Sequence, residues 1–378
     1  MKLVINTAHQ RFGGAIQVAL SFINECRHFP EHEYHVWVGP GVAKSLQTQD
    51  FPTNFTFYYF DFGVITLTTI FKIQKALSQL EQHIKPDVSI ATSGPTYFYS
   101  KLPQIVGFNL GLYIYPESPY VKELSLKARG KLTLKKALHY YFFKRDTTAY
   151  VVQTEDVNQR VRKALSTQQV VTVTNTHNGY FLENKKYDLP LPQKQQSLFR
   201  LVTLTSYYAH KNLELLPLVA QELESLGITT VQFVLTLKPS DFEQHISPHP
   251  FIVNIGPIQP EACPSLYREC DALFLPTLAE CFSASYPEAM VMEKPIITTD
   301  LGFARSICGE AALYFEPKNA KEAALCIKKI LDTPELSQDL VKQGKEQLKK
   351  FDTATQRAQK YLELCTNVIS QNKQNETN

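Results

Sequence analysis

Short apolar, β-branched runs alternate along this chain with longer segments of helical period, the pattern of parallel strands joined by crossover helices. In the first half the runs predict strands near residues 2–6, 34–38, 55–60, 87–91, 104–108, 148–152 and 170–174, with helices between them. The stretch from Gly14 to Arg27 sets Ile16, Ala19, Leu20 and Ile23 on one helical face. Residues 182–198 then break the period with prolines and a polar majority, which predicts a linker. The alternation restarts with strands at 199–204, 231–236, 251–254, 272–275 and 295–298 and helices at 211–225, 260–269 and 284–292. From about 319 the chain reads as helical until a polar tail, 371–378, expected to be disordered. The expected organisation is α/β: two doubly wound parallel-sheet domains, 1–181 and 199–352, then a C-terminal helix at 353–370.

Composition agrees with two cores, since 378 residues exceed what one core usually supports. With 44% hydrophobic and 20% charged residues and no apolar run of membrane-spanning length, the chain reads as a soluble globular protein. Its first residues form an apolar run of strand length rather than a secretion signal, so a cytoplasmic location is expected. The 7 cysteines are scattered, with no Cys-x-x-Cys pair, which argues against a disulfide framework and a zinc site. His245 and His249 are spaced like helical metal ligands, but Pro248 breaks the helix they would need.

A net charge of +3 is too small to imply nucleic-acid binding. Its distribution is uneven: Lys122, Lys127, Arg129, Lys131, Lys135, Lys136, Lys144 and Arg145 fall in one stretch opposed only by Glu123. Leu124, Leu126, Leu132, Leu134 and Leu138 supply apolar positions there. The segment reads either as a core-packed helix with a solvated basic face or as a surface for anionic membrane.

In open parallel sheets, ligands bind beyond the carboxyl ends of the strands, so the loops after strands carry the chemistry. After the strand ending at Pro276 come Glu280 and then a helix expected to begin near Ala284, with Glu288 inside it. Backbone N–H groups around Phe282, Ser283, Ala284 and Ser285 would suit a diphosphate, and Glu288 a ribose diol. On spacing alone, both carboxylates read equally well as ordinary surface charges. A second loop, Ser206 to Asn212, offers Lys211 as a point charge for a diphosphate or, alternatively, as a solvated lysine in a helix's first turn. A third, Phe12-Gly13-Gly14, allows close backbone approach to a phosphate or sugar. The absence of Gly-x-Gly-x-x-Gly and Gly-x4-Gly-Lys-Ser/Thr weighs against a simple NAD enzyme or a P-loop NTPase.

The segment Glu280-Cys-Phe282-Ser283-Ala284-Ser285-Tyr-Pro-Glu288-Ala-Met, followed by Lys294-Pro-Ile-Ile-Thr-Thr, resembles the Glu-x7-Glu donor motif of retaining family 4 glycosyltransferases. These belong to glycosyl transferases group 1, and the likeness is to those of bacterial polysaccharide and lipopolysaccharide synthesis. Cys281 and Ser283 stand where that motif usually has glycines. Lys211 matches the lysine of the family's phosphate clamp, while Ser206 stands where its arginine should be. Gly14 matches the glycine loop of the N-terminal domain, and Asn254-Ile-Gly256-Pro-Ile258 resembles the base-binding turn. The family's acceptor-cleft histidine has no counterpart, leaving Asn109, Tyr113 and Glu117 as acceptor-side candidates.

The resemblance implies two Rossmann-like domains facing across a cleft (GT-B), opening near 176–198, with the last helix returning to the N-terminal domain. It implies transfer of a sugar from a nucleotide diphosphosugar to a hydroxyl acceptor, a glycan or lipid-linked glycan, with anomeric retention and without metal or other cofactor. Glu280 would contact the transferred sugar and Glu288 the ribose. A sugar-nucleotide epimerase and a non-catalytic nucleotide-sugar-binding protein of the same fold are the alternatives. The basic stretch would hold such an enzyme peripherally at the inner face of the plasma membrane.

Overall fold

The computed structural model describes residues 1–11 and 13–377, and Phe12 of the glycine loop lies outside them. The chain divides into two compact units: residues 1–114, 124–175 and the chain from 352 on, and residues 115–123 with 176–351.

The first unit is built on a parallel sheet of β1 (Lys2–Asn6), β2 (Glu33–Val38), β3 (Phe55–Tyr59), β4 (Val88–Ala91), β5 (Gln104–Gly107), β6 (Ala149–Val152) and β7 (Val170–Thr172). Their order is β3-β2-β1-β4-β5-β6-β7. Strands covered on both faces can be apolar throughout, and alternate side chains go to different cores. Leu3 and Ile5 join Tyr34, Val36 and Val38 on one face. Val4 joins Trp37, Phe98 and Phe142 on the other. Helix α1 (Ala15–Glu25) buries Ala19, Leu20, Phe22 and Ile23 on the first face. The second face receives α2 (Leu67–Ile84), through Ile73, Leu77 and Ile84, and the end of α3 (Leu126–Asp146). Helix α4 (Glu155–Leu165) follows β6.

The C-terminal helix, Ala354–Thr377, completes the first unit's core with Ala358, Tyr361, Leu362, Leu364, Cys365 and Val368. It runs through the segment expected to be a disordered tail, where no proline or glycine interrupts it.

The second unit repeats the scheme with β8 (Phe199–Thr203), β9 (Val231–Leu235), β10 (Ile252–Asn254), β11 (Ala272–Leu275), β12 (Ile296–Thr299) and β13 (Ala312–Phe315), all parallel, in the order β10-β9-β8-β11-β12-β13. Strand β13 was not expected; only four residues long, it follows β12 through a short helix. In each sheet the order reverses between two central strands, β1/β4 and β8/β11, which defines a crevice beyond their carboxyl ends.

Two boundaries differ from those expected. Residues 115–123 belong to the second unit, where Ser118 Oγ donates to Leu278 O at 2.7 Å. The expected linker, 182–198, is a strap bound to the same unit. Lys194 pairs with Asp271 at 2.7 Å, Tyr187 N donates to Ser265 Oγ at 2.9 Å, and Arg268 donates to the carbonyl of Lys185 at 2.7 Å. These bonds fix the strap mainly through its backbone, while most of its polar side chains stay exposed.

Candidate active site

At the β8/β11 switch, the loops after the two strands are hydrogen-bonded to each other. Leu278 N donates to His210 O at 2.8 Å, and Ser285 Oγ to Leu204 O at 3.5 Å. This brings together two side chains 69 positions apart: Lys211 Nζ donates to Glu280 Oε1, whose other donor is Thr277 Oγ1 at 3.1 Å. Both side chains of the pair are only 13% exposed. A lysine and a carboxylate so far out of water need one another, since removing either leaves an uncompensated charge. Lys211 does not sit in a helix's first turn, as the periodicity had indicated. It ends a 3-10 turn, Ala209–Lys211, and Asn212 is left-handed (φ 56) before α5 (Leu215–Ser225) begins. Ser206 is exposed, and no arginine takes its place among the described contacts of this loop.

Cys263–Glu269 forms α6, and Ser285–Val291 forms α7, capped by Ala284 in helical conformation without a side-chain cap bond. Ser283 and Ser285 are buried, Phe282 half-buried against Phe351. Ser285 opens α7, so its N–H has no intrahelical acceptor, while Phe282 and Ser283 precede the helix. Glu288 lies one turn further on and is buried. Its Oε2 faces Tyr267 OH at 3.4 Å, and that hydroxyl also lies 3.3 Å from Ser285 O. Burial raises the Glu288 carboxyl to about 7, with the Tyr267 hydroxyl pulling slightly the other way. The turn before α6 is fixed by Asn254, which bonds both backbone groups of Leu237 (2.8 and 2.9 Å) and leads through Gly256 (φ 78) to half-buried Ile258.

Sequence reasoning missed the aromatic surroundings of Glu288. Tyr267 belongs to α6, and Phe181, from the segment before the strap, meets its ring edge-on at 5.9 Å. Tyr180 carries a hydroxyl whose pKa is raised, first by burial and then by the nearby Glu288. The run Asn178-Gly-Tyr-Phe181 was the available signal.

The remaining candidates divide between the units. In the first, Gly14 caps α1 with open space around it, so the backbone does not demand glycine there. Gly13, at φ 95, is the position that does. Asn109 Oδ1 accepts from Ser93 Oγ at 3.0 Å. Tyr113 is 5% exposed and does not line an open wall: its hydroxyl meets His139 Nδ1 at 3.1 Å, and its carbonyl accepts from Lys136 Nζ at 2.8 Å. Burial lowers His139 to about 4, so this neutral ring links Tyr113 to Tyr97, 3.1 Å from its Nε2. Glu117 is exposed and belongs to the second unit, beside Ser118.

The basic stretch is likewise divided. Lys122 and Glu123 fall in the second unit, where Glu123 pairs with Lys318. The rest forms α3, whose apolar residues lie on both faces. Phe142 and Phe143 are buried, while Leu126 and Leu134 are 85% and 74% exposed, and Leu138 and Tyr141 are exposed too. Lys127, Lys131, Lys135 and Lys144 share the exposed surface. Lys136 instead turns inward to Tyr113 and the Tyr140 ring.

Residues 252–347 match the model of the family described as glycosyl transferases group 1. No curated protein matches the sequence significantly. Among solved structures, the chain is similar to a sucrose-phosphate synthase from Thermosynechococcus elongatus, with 13% identity and a TM-score of 0.73, over 98% of this chain and 99% of that one. A glycosyltransferase from Rickettsia africae gives 15% identity and a TM-score of 0.70, over 97% and 98%. HepE of Anabaena, solved in complex with UDP and glucose, gives 13% and 0.67, over 97% and 100%. The fold is that of GT-B glycosyltransferases.

Proposed function

We propose that this protein transfers a sugar from a nucleotide diphosphosugar to a hydroxyl group of a glycan or lipid-linked glycan, with retention and without a metal. The Lys211–Glu280 pair at the switch point carries the reading. A departing diphosphate offers Lys211 an anionic partner, and a sugar offers Glu280 hydroxyl donors, so a bound donor replaces the pair's mutual contact on both sides. The family match over 252–347 supports the reading, because it spans the turn at Ile258 and both glutamates. Incubation with candidate donors tests it. Nucleotide release that depends on acceptor indicates transfer, interconverted donor indicates an epimerase, and binding without turnover a silent relative.

In this reading Glu288 accepts hydrogen bonds from the ribose diol, for which it must be ionised. With its carboxyl at about 7, donor affinity is highest above pH 7 and falls as the pH drops through that value. The stability effect has the opposite sense. The unfolded chain ionises Glu288 near 4.5, so the cost of the buried charge is absent below that pH, grows as the pH rises and is complete above 7. Changing Glu288 to Gln is expected to stabilise the protein at pH 8 by up to about 3 kcal/mol, to weaken donor binding and to flatten its pH dependence. Calorimetric titration across pH 5.5–8.5, roughly the span a raised carboxylate of this kind needs, checks this; wild-type affinity that does not vary would remove Glu288 from the site.

Helix α3 is the membrane-facing element in this reading, its exposed leucines entering the interface and its lysines meeting anionic headgroups at about 1 kcal/mol each. Vesicles containing anionic lipid should sediment the protein at low salt but not at high salt, and replacing Lys127, Lys131 and Lys135 with Glu should abolish this. Lys136 is left unchanged because it supports Tyr113. Equal sedimentation with neutral vesicles would refute electrostatic docking.

A further inference from the structure

Tyr267 is fully buried in α6, yet its hydroxyl is committed to no single partner. The oxygen lies 3.3 Å from Ser285 O and 3.4 Å from Glu288 Oε2, both longer than the roughly 2.8 Å of a settled O–H···O bond. A hydroxyl has one hydrogen, so it serves one of these acceptors at a time. The Ser285 carbonyl can spare it: in the first turn of α7, it is also met by the helix N–H four residues on.

The protonation of Glu288 decides between the two. A protonated carboxyl donates to the Tyr267 oxygen, and the hydroxyl gives its own hydrogen to Ser285 O. Once the carboxyl proton is lost to solvent, Glu288 offers only acceptors, and the hydroxyl rotates to Oε2. The other groups facing Glu288 stay neutral throughout. The Tyr180 hydroxyl accepts from Asn178 Nδ2 at 2.9 Å, and burial holds its pKa up. Burial likewise pushes up the Cys263 thiol, which reaches Gln259 O, and Glu261 beyond it is exposed. Glu288 is 9% exposed, and its Oε1 has no hydrogen-bonding partner among the described residues.

We infer that Tyr267 is a positioning residue for the donor, its hydroxyl turning from Ser285 O to Glu288 Oε2 on ionisation and holding the carboxylate with Oε1 free for the ligand. A hydrogen bond to the charged form favours that form, so Tyr267 also sets the pH at which the site becomes competent. Naming the ligand group as the ribose diol rests on the reading above; the hydroxyl switch does not.

The test is carboxyl-carbon NMR of the full chain with 13C-labelled glutamate, Glu288 being assigned by its loss in Glu288→Gln. Tyr267→Phe removes one oxygen, and the remaining glutamate resonances report that the variant is folded. Its Glu288 midpoint should rise by about one pH unit, the loss of one hydrogen bond to a charged group. Tyr180→Phe, which removes the neighbouring hydroxyl, should leave the midpoint in place. Calorimetry with whichever of UDP, ADP and GDP binds the wild type should find Tyr267→Phe about fivefold weaker near pH 7 and equal to wild type near pH 9. A midpoint unmoved by Tyr267→Phe, as packing alone would leave it, or moved as far by Tyr180→Phe, overturns the proposal. A midpoint that rises while no nucleotide's affinity follows it overturns the ribose role of Glu288 alone.

Discussion

Replacing Lys211 with Met is expected to lower turnover roughly 10²–10³-fold and, separately, to destabilise the second unit by about 3 kcal/mol. The two losses have different origins. Lys211 and Glu280 are each 13% exposed, and Met leaves the carboxylate with Thr277 alone. That residual charge, out of water and short of a partner, sets the stability cost. Turnover falls because the departing diphosphate has lost its cation. Adding Glu280→Gln to Lys211→Met separates the effects: the double variant should recover most of its stability, since the stranded charge is gone, and remain inactive. Glu280→Gln alone should reduce turnover more than nucleotide affinity, its partner being the sugar. Urea unfolding, paired with turnover on whichever donor stabilises the wild type, gives all the required values. A double variant that regains activity would mean the pair is structural, and the transferase reading would lose its main support.

The strands of both sheets except β13 were legible because strands covered on two faces are nearly unbroken apolar runs, as Leu3-Val4-Ile5 and Leu273-Phe274-Leu275 show. Lys211, Glu280 and Glu288 were singled out by the resemblance of their segments to a donor motif, since spacing alone left the carboxylates indistinguishable from surface charges. What sequence could not reveal was pairing over distance. Periodicity does not join Lys211 to Glu280, nor Tyr267 to Glu288. The strap at 182–198 was misread for a related reason: its prolines and polar residues look like a free linker until Asp271, Ser265 and Arg268 are seen to bind it. In α3, apolar residues on two faces hid which side is packed.

Ending the chain after Phe351 should prevent the first unit from folding, although every strand of its sheet lies before residue 173. The C-terminal helix gives that unit's core Ala358, Tyr361, Leu362, Leu364, Cys365 and Val368, with Tyr361 edge-on to Phe22 of α1 at 5.2 Å. At about 1.5–3 kcal/mol for each large side chain buried, their loss is on the order of 10 kcal/mol, comparable to the whole stability of a domain. A polar clamp adds to it. Arg357 is 1% exposed and donates to Ser21 Oγ at 2.6 Å and to Asn175, just beyond β7, while Asp352 exchanges bonds of 2.7 and 2.8 Å with Thr174 Oγ1. The truncated chain should therefore lose the near-ultraviolet dichroism of the first unit, where Trp37, the only tryptophan, is buried, and retain one cooperative transition from the second. Arg357→Ala in the full chain should reproduce part of the loss, about 3 kcal/mol, by leaving Asn175 and Ser21 without their partner. A peptide spanning residues 352–377, added to the truncated chain, should restore the Trp37 signal. A truncated chain that melts like the full one would show that the helix decorates the first unit rather than completing it.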